Sequence, residues 1–281
     1  MRRRVAVARN LAKAWLILVA PALLMGFAGW KLGGYRLSLP FGGSIVLLGA
    51  ALYWYADRIA IGMVGARELL PGEAPALHSA VERLSGRAGV TRPRLYLLPD
   101  GYPRALSGGR GAQGGAALAV STGLLGVVTP AELEGIVAHE LAHLRNRDVL
   151  VQTLAVILAA AVVETSRLGG WLERSLLVVL GPLAASFAHL LLSPKREFEA
   201  DRFASEVCDS PHGLADALLR LESTMELVAF QASPATEPLY VTNPFADEGL
   251  AALFATHPPL GERVRRLREL DPEWRDKLRA A

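Results

Sequence analysis

Cysteine is almost absent. Cys208 stands alone in 281 residues, so no intrachain disulfide can form and a disulfide-stapled secreted domain is excluded. An excess of one charge is also missing, with 30 Lys and Arg against 27 Asp and Glu. The sequence pI of about 9.2 suits nucleic acid or anionic lipid. Basic residues flank apolar runs, however, and no nucleic-acid motif or aromatic-interleaved basic patch occurs, which favours a lipid bilayer and no nucleic acid. The glycine-rich stretch from Ser107 to Gly115 lacks the Gly-Lys-Ser/Thr ending of a phosphate-binding loop and reads as a hairpin connection. There is no internal repeat and no long disordered tract. Gln231 to Asp247, rich in proline and small residues, reads as an irregular loop.

Apolar residues are abundant. They make up 52% of the chain, and the mean hydropathy of +0.29 is high for a protein that must dissolve unaided. Two runs, Leu11 to Trp30 and Leu37 to Ala56, approach the ~20 residues needed to cross a bilayer. The first is too long for a signal peptide, and no small-x-small cleavage site follows it. Five basic residues (Arg2, Arg3, Arg4, Arg9, Lys13) precede the first span and only Lys31 and Arg36 follow it, which places the N-terminus in the cytoplasm of a multi-pass protein of the inner (plasma) membrane. Residues 1–66 are thus expected to form an anchor of two transmembrane helices, and 67–281 a second domain on the cytoplasmic side. A second hydrophobic hairpin at 149–193, built from Val149 to Val163 and Leu176 to Leu192, interrupts that domain. Its first arm is short for a full span, so a membrane hairpin and a buried core hairpin both fit.

The soluble part reads as α+β. Leu77, Val81 and Leu84 have helical spacing, and Arg94 to Leu98 and Ala116 to Ser121 look like short strands. The expected fold is therefore a mainly helical α+β membrane protein with a small antiparallel sheet. Thr129-Pro130-Ala131-Glu132 is a helix start: Thr129 caps, Pro130 suits the first turn and Glu132 completes a capping box. The helix that follows holds His139-Glu140-Leu141-Ala142-His143. A four-residue spacing puts both imidazoles on one helical face, where both reach one Zn²⁺, and sets Glu140 beside a metal-bound water as a base. Two histidines need a third protein ligand. Glu197, Glu199 and Asp201, at the start of the helix after Pro194, compete for that role. His78, His189 and His212 stand alone, and Cys208 reads as a packing residue.

His139-Glu140-Leu141-Ala142-His143 followed by Glu197-Phe198-Glu199-Ala200-Asp201 closely resembles the HtpX-type membrane metalloproteases, relatives of the CAAX prenyl proteases. Val120 to Leu125 and Thr256 to Arg263 look like further family motifs, and the resemblance runs from about residue 1 to 270. It implies that residues 67–281 form a zincin (gluzincin-like) protease domain, that Glu197 is the third zinc ligand and that Asp201 orients a ligand histidine. It also implies that His257 and Arg263 lie near the zinc and steady the oxyanion. Substrates would be proteins or peptides, misfolded membrane proteins in particular, held extended on an edge strand near Tyr102 to Ser107. The family carries Asn-Ala-Phe on that strand, where this chain has Arg104-Ala105-Leu106. That departure either shifts preference toward acidic or differently shaped peptides or is a neutral edge substitution. Two other readings are a specific processing peptidase of the CAAX prenyl-protease kind, which uses more spans, and a catalytically silent membrane scaffold, in which the motif would have decayed.

Overall fold

The computed structural model describes residues 2–111, 114–154, 194–225, 258–271 and 273. Most of the third apolar run, all of the fourth, the 231–247 stretch, His189 and His257 lie outside them. The domain boundaries at 149–193 therefore rest on the sequence.

Helices α1 (Arg2–Gly33) and α2 (Tyr35–Met63) form an antiparallel pair that reverses at Gly34, whose φ of 63° lies in the left-handed region open to glycine. Small residues line the seam between them. A Cβ on Gly29 would meet the Leu37 carbonyl oxygen at 2.6 Å, and one on Gly42 would meet the Gly26 Cα at 3.3 Å. The outer surface carries exposed Trp15, Leu23, Leu24, Leu39, Leu47 and Trp54. Val7–Gly33 and Tyr35–Met63, 27 and 29 residues, are long and apolar enough to cross a membrane. At ~1.5 Å per residue each measures about 40 Å.

The sheet is mixed, not antiparallel. Its order is β1 (Arg67–Glu68), β2 (Arg94–Leu98), β4 (Ala116–Ser121), β3 (Ala105–Gly109), with β2 and β4 parallel and the other two pairings antiparallel. The cause lies in the link between β2 and β3. It crosses the end of β4, where the Asp100 carbonyl accepts from the Gly123 N–H (2.9 Å) and the Thr122 hydroxyl (2.8 Å). Glycine at 123 is required there, since a Cβ would stand 2.1 Å from the Gly101 carbonyl oxygen. β3 then returns as the outer arm of the expected hairpin, and the apolar Ala116 to Ser121 strand, buried on both faces, takes the centre.

Alternation divides the sheet's side chains between two layers. Leu95, Leu97, Leu118 and Val120 face a helical layer of α3 (Pro75–Ala88), α5 (Pro130–Asn146), α6 (Pro194–Cys208), α7 (His212–Met225) and α8 (Leu260–Glu269). Leu98, Leu106, Ala117 and Ala119 face Ile61 at the end of α2. The short α4 (Thr122–Val127) links β4 to α5. On the far side of α5, Ala14 and Ile17 of α1 pack on Leu150, Val151 and Leu154, which continue the chain as helix beyond α5.

α5 is the hub, and its approach to α7 is close. A Cβ on Gly135 would stand 2.5 Å from the Leu214 amide nitrogen, a backbone atom that cannot move aside alone. Gly135→Val is expected to destabilise the protein by about 1–3 kcal/mol or more. Gly126→Ala, with nothing within 4 Å of the new Cβ, should stay within about 0.5 kcal/mol. Unfolding midpoints of the two purified variants check the pair.

Candidate metal centre

α5 starts as the sequence predicts. Glu132 N–H donates to the Thr129 hydroxyl at 3.4 Å, and the Glu132 carboxylate accepts from the Thr129 N–H at 2.7 Å. Arg220 of α7 donates its Nε–H to both oxygens of the same carboxylate, each at 2.9 Å, which ties the cap to the neighbouring helix. With the register fixed, Leu133, Ile136, Val137 and Leu144 fill the core. His139, Glu140 and His143 come to a buried inner face.

Glu197, at the first turn of α6, meets the two imidazoles there. The His139 and His143 Nε2 atoms lie 3.2 Å apart and face different oxygens of Glu197, Oε2 for His139 and Oε1 for His143, each at 3.6 Å; one ligand atom from each of the three residues lies within 4.8 Å of the others. Neighbouring ligand atoms of a tetrahedral centre with ~2.0–2.1 Å bonds are roughly 3.3 Å apart, so these separations suit a metal site. Glu197 is fully buried and Glu199 is exposed, so of the competing carboxylates only Glu197 and Asp201 face inward.

The outer nitrogens of both rings are committed to carboxylates. His139 Nδ1 lies 2.9 Å from Asp201, one helical turn beyond Glu197, and His143 Nδ1 lies 3.3 Å from Asp148. An ionised carboxylate only accepts, so each Nδ1 carries the proton and each Nε2 presents a lone pair. Two lone pairs facing each other at 3.2 Å repel unless a cation lies between them. Arg263 of α8, fully buried, donates through Nε at 2.9 Å and Nη2 at 2.6 Å to the two oxygens of Asp201. Burial opposes ionisation of Asp201, but the Arg263 guanidinium, with His139, outweighs it and holds the carboxyl down at about 2. Burial likewise opposes the charge on Arg263, and Asp201, Glu197 and Glu140 more than restore it.

The charge count points the same way. Among the described residues, four buried acidic side chains, Glu140, Asp148, Glu197 and Asp201, surround the cluster against two buried guanidinium groups, Arg196 and Arg263, a surplus of two acidic groups. The field of that surplus is visible at His143. Burial disfavours its cation, yet Glu197 and Asp148 push it up to about 10. A cavity that would hold a proton so firmly is equally suited to a divalent ion, which displaces the proton.

Asp148 and Arg196 were not singled out in the sequence. Asp148 follows His143 by five positions, but α5 ends at Asn146 and Arg147 turns the chain at φ 59°, so helical spacing gives no hint of the contact. Arg196 stands 3.1 Å from Glu197 and is equally buried. Arg104 pairs with Asp100 in its own loop. Half-buried Cys208 packs against the core, where burial pushes its thiol up to about 11, away from ligand chemistry. His78 contacts Arg92, and His212 pairs with Asp271 at 2.9 Å, both remote from the cluster.

The sequence pattern of peptidase family M48 matches residues 71–271, a span that holds the whole cluster. The chain is 37% identical to a protease HtpX homolog of Pelotomaculum thermopropionicum over 278 residues, 92% of this chain and 98% of that one. It is also 37% identical to a protease HtpX homolog of Pyrococcus abyssi over 278 residues, 91% of this chain and 93% of that one. A third such homolog, from Salinibacter ruber, is 36% identical over 272 residues. In fold the chain is similar to the crystal structure of S. mikatae Ste24p, with a TM-score of 0.50 at 15% identity over 95% of this chain and 66% of that one. A buried two-histidine, one-carboxylate cluster on this fold, with relatives of more than a third identity along nearly its whole length, makes the chain a member of peptidase family M48 and a metalloprotease.

Proposed function

We propose that the protein is a membrane-embedded zinc endopeptidase, its metal held by His139, His143 and Glu197 and its site open to the cytoplasm. The observation that carries this reading is the buried cluster in which two imidazole nitrogens lie 3.2 Å apart, each 3.6 Å from one of the two Glu197 oxygens, with one ligand atom of each residue within 4.8 Å of the others. Zinc suits two imidazoles and one carboxylate, and when bound it lowers the proton affinity of water and polarises the scissile carbonyl.

The chain's own residues do the rest. Glu140, beside the two histidines, accepts a proton from the attacking water and returns it to the leaving amine. Asp201 and Asp148 hold the two imidazoles in one tautomer and orientation, and Arg263 fixes Asp201. The Arg263 positive charge, beside the His139 ring, favours the oxyanion as it develops. By the family resemblance His257 joins it there. Bonds from Ser121 N–H to the Arg104 carbonyl and from Arg110 N–H to the Gly115 carbonyl bracket the β3–β4 ladder. Positions 104, 106, 108 and 110 therefore bond to β4, and Ala105 and Ser107 turn their backbone groups outward along the edge. An extended substrate pairs there. With Arg104 engaged by Asp100, the change from asparagine is neutral for the choice of substrate.

α1 and α2 cross the bilayer, because their outward faces expose large apolar side chains that water would not tolerate in such number. A site beside the cytoplasmic surface suits damaged or misfolded membrane proteins as substrates.

Three outcomes are expected. Glu140→Gln should retain metal and lose about 10²–10⁴-fold in casein cleavage, since an amide accepts no proton; undiminished cleavage would remove Glu140 from the base role. Bound zinc should fall far more in Glu197→Ala than in Glu199→Ala, and equal retention in the two would mean that the third ligand lies elsewhere. A reporter fused after Ala66 should read cytoplasmic and one inserted at Gly33-Gly34 should read on the far side. The reverse pattern would place the site on the outer face.

A further inference from the structure

Asn10 is a buried amide of α1 just before its apolar run, outside the span matched by the family pattern. Its side-chain nitrogen lies 3.1 Å from the Asn146 carbonyl oxygen and 2.5 Å from Asp148 Oδ1. Both partners accept only, so the NH₂ end of the amide faces them and each of its N–H groups has a target. The two targets bracket one turn. Asn146 is the last residue of the catalytic helix, where carbonyl groups have no partner within the helix. Asp148 starts the next helical segment, and Arg147 between them sits at φ 59°, a conformation that a non-glycine residue adopts only when held.

The other oxygen of Asp148 faces His143 Nδ1 at 3.3 Å. The contacts form one line: α1 amide, Asp148 carboxylate, His143 ring, ligand cluster. Ala14 and Ile17, one and two turns along α1, pack on Leu150, Val151 and Leu154 and set the depth and rotation at which Asn10 arrives. We infer that Asn10 is a positioning residue for the metal site: by clamping Asp148 and the end of α5 it fixes the His143 imidazole, so the metal-binding geometry is complete only when the first helix of the anchor is docked. The inference rests on the metal reading proposed above. It adds a residue of the anchor to a site otherwise built from the M48 span.

Asn10→Leu tests it in the detergent-purified full-length chain. Leucine has the branched outline of asparagine, though it is bulkier, and it suits a helix while removing both donors. Asn10→Ala is made beside it in case the branched side chain does not fit. Partners that orient ligand histidines are worth ~10–100-fold in metal affinity, so zinc affinity measured by chelator competition should fall about tenfold in both variants. The ligand-field spectrum of the cobalt(II)-substituted protein should change, a signature that a merely structural contact would leave alone. Combined with Asp148→Asn, the substitution should add almost no further loss, because the two residues act in series. Unchanged zinc affinity and spectrum, or full additivity with Asp148→Asn, overturns the inference. Variants that both unfold before metal is lost make Asn10 a folding residue and overturn it too. Glu197→Ala, run in parallel, keeps the two readings apart: if that variant also holds zinc at parental affinity, the metal assignment itself fails.

Discussion

Two imidazoles with their lone pairs 3.2 Å apart, inside a protein and surrounded by more carboxylates than guanidinium groups, cannot be stable as they stand. A proton or a cation between them would relieve the repulsion, and much of the domain is arranged around that point. The cost of burying so many charges is several kcal/mol per ion unless each is paired, and the three carboxylates that meet the imidazoles each have such neighbours. Asp201 takes Arg263 and His139, Asp148 takes His143 and Asn10, and Glu197 meets Arg196 and both imidazoles. The pairing does two things at once. It makes the burial tolerable, and it fixes which ring nitrogen is left to bind metal.

That constraint explains why the helices are arranged as they are. The histidines come from α5, but the carboxylates that complete and orient the site come from α6, from the segment after Arg147 and, through Arg263, from α8. Each of these elements contributes both a polar group to the cluster and apolar groups to the core around α5, such as Ala204, Val149 and Leu267. A shift of any one would therefore cost packing and charge pairing together. The Gly135 approach to Leu214 and the Arg220 grip on Glu132 pin α5 from the α7 side, so the hub has little freedom to adjust.

The local parts of this design are legible in the sequence because their causes are local. The capping box at Thr129, the four-residue histidine spacing, the Glu197 and Asp201 face of α6 and the two long apolar helices all follow from helical periodicity within one element. The strand direction of β2 against β4 was not legible, since it depends on a link that crosses the end of β4 over Gly123, and nothing in residues 99–104 states which side it passes. Asp148 was hidden for a related reason. Its contact with His143 is made across the Arg147 turn, where the helical period breaks. Asn10 was hidden twice, by distance along the chain and by sitting next to an apolar run that reads as lipid anchor.

The polar residues of that anchor carry the remaining argument. Asn10 of α1 and Asp57 of α2 are buried, and both face the protease: Asn10 toward the end of α5, Asp57 toward Arg94 on β2. Trp54, on the turn before Asp57, receives Arg110 of the β3–β4 hairpin over its ring at 4.6 Å. An amide or carboxylate turned toward hydrocarbon would cost kcal/mol, whereas leucine or tryptophan there costs nothing. These few polar groups thus fix the rotation of each helix about its axis, leaving only one face for lipid. The small-residue seam at Gly26 and Gly42 fixes their separation. Once rotation and separation are set, the position of the sheet and of the His139, His143 and Glu197 cluster relative to the helix pair is set as well. A helix pair built from apolar residues alone would leave that position free.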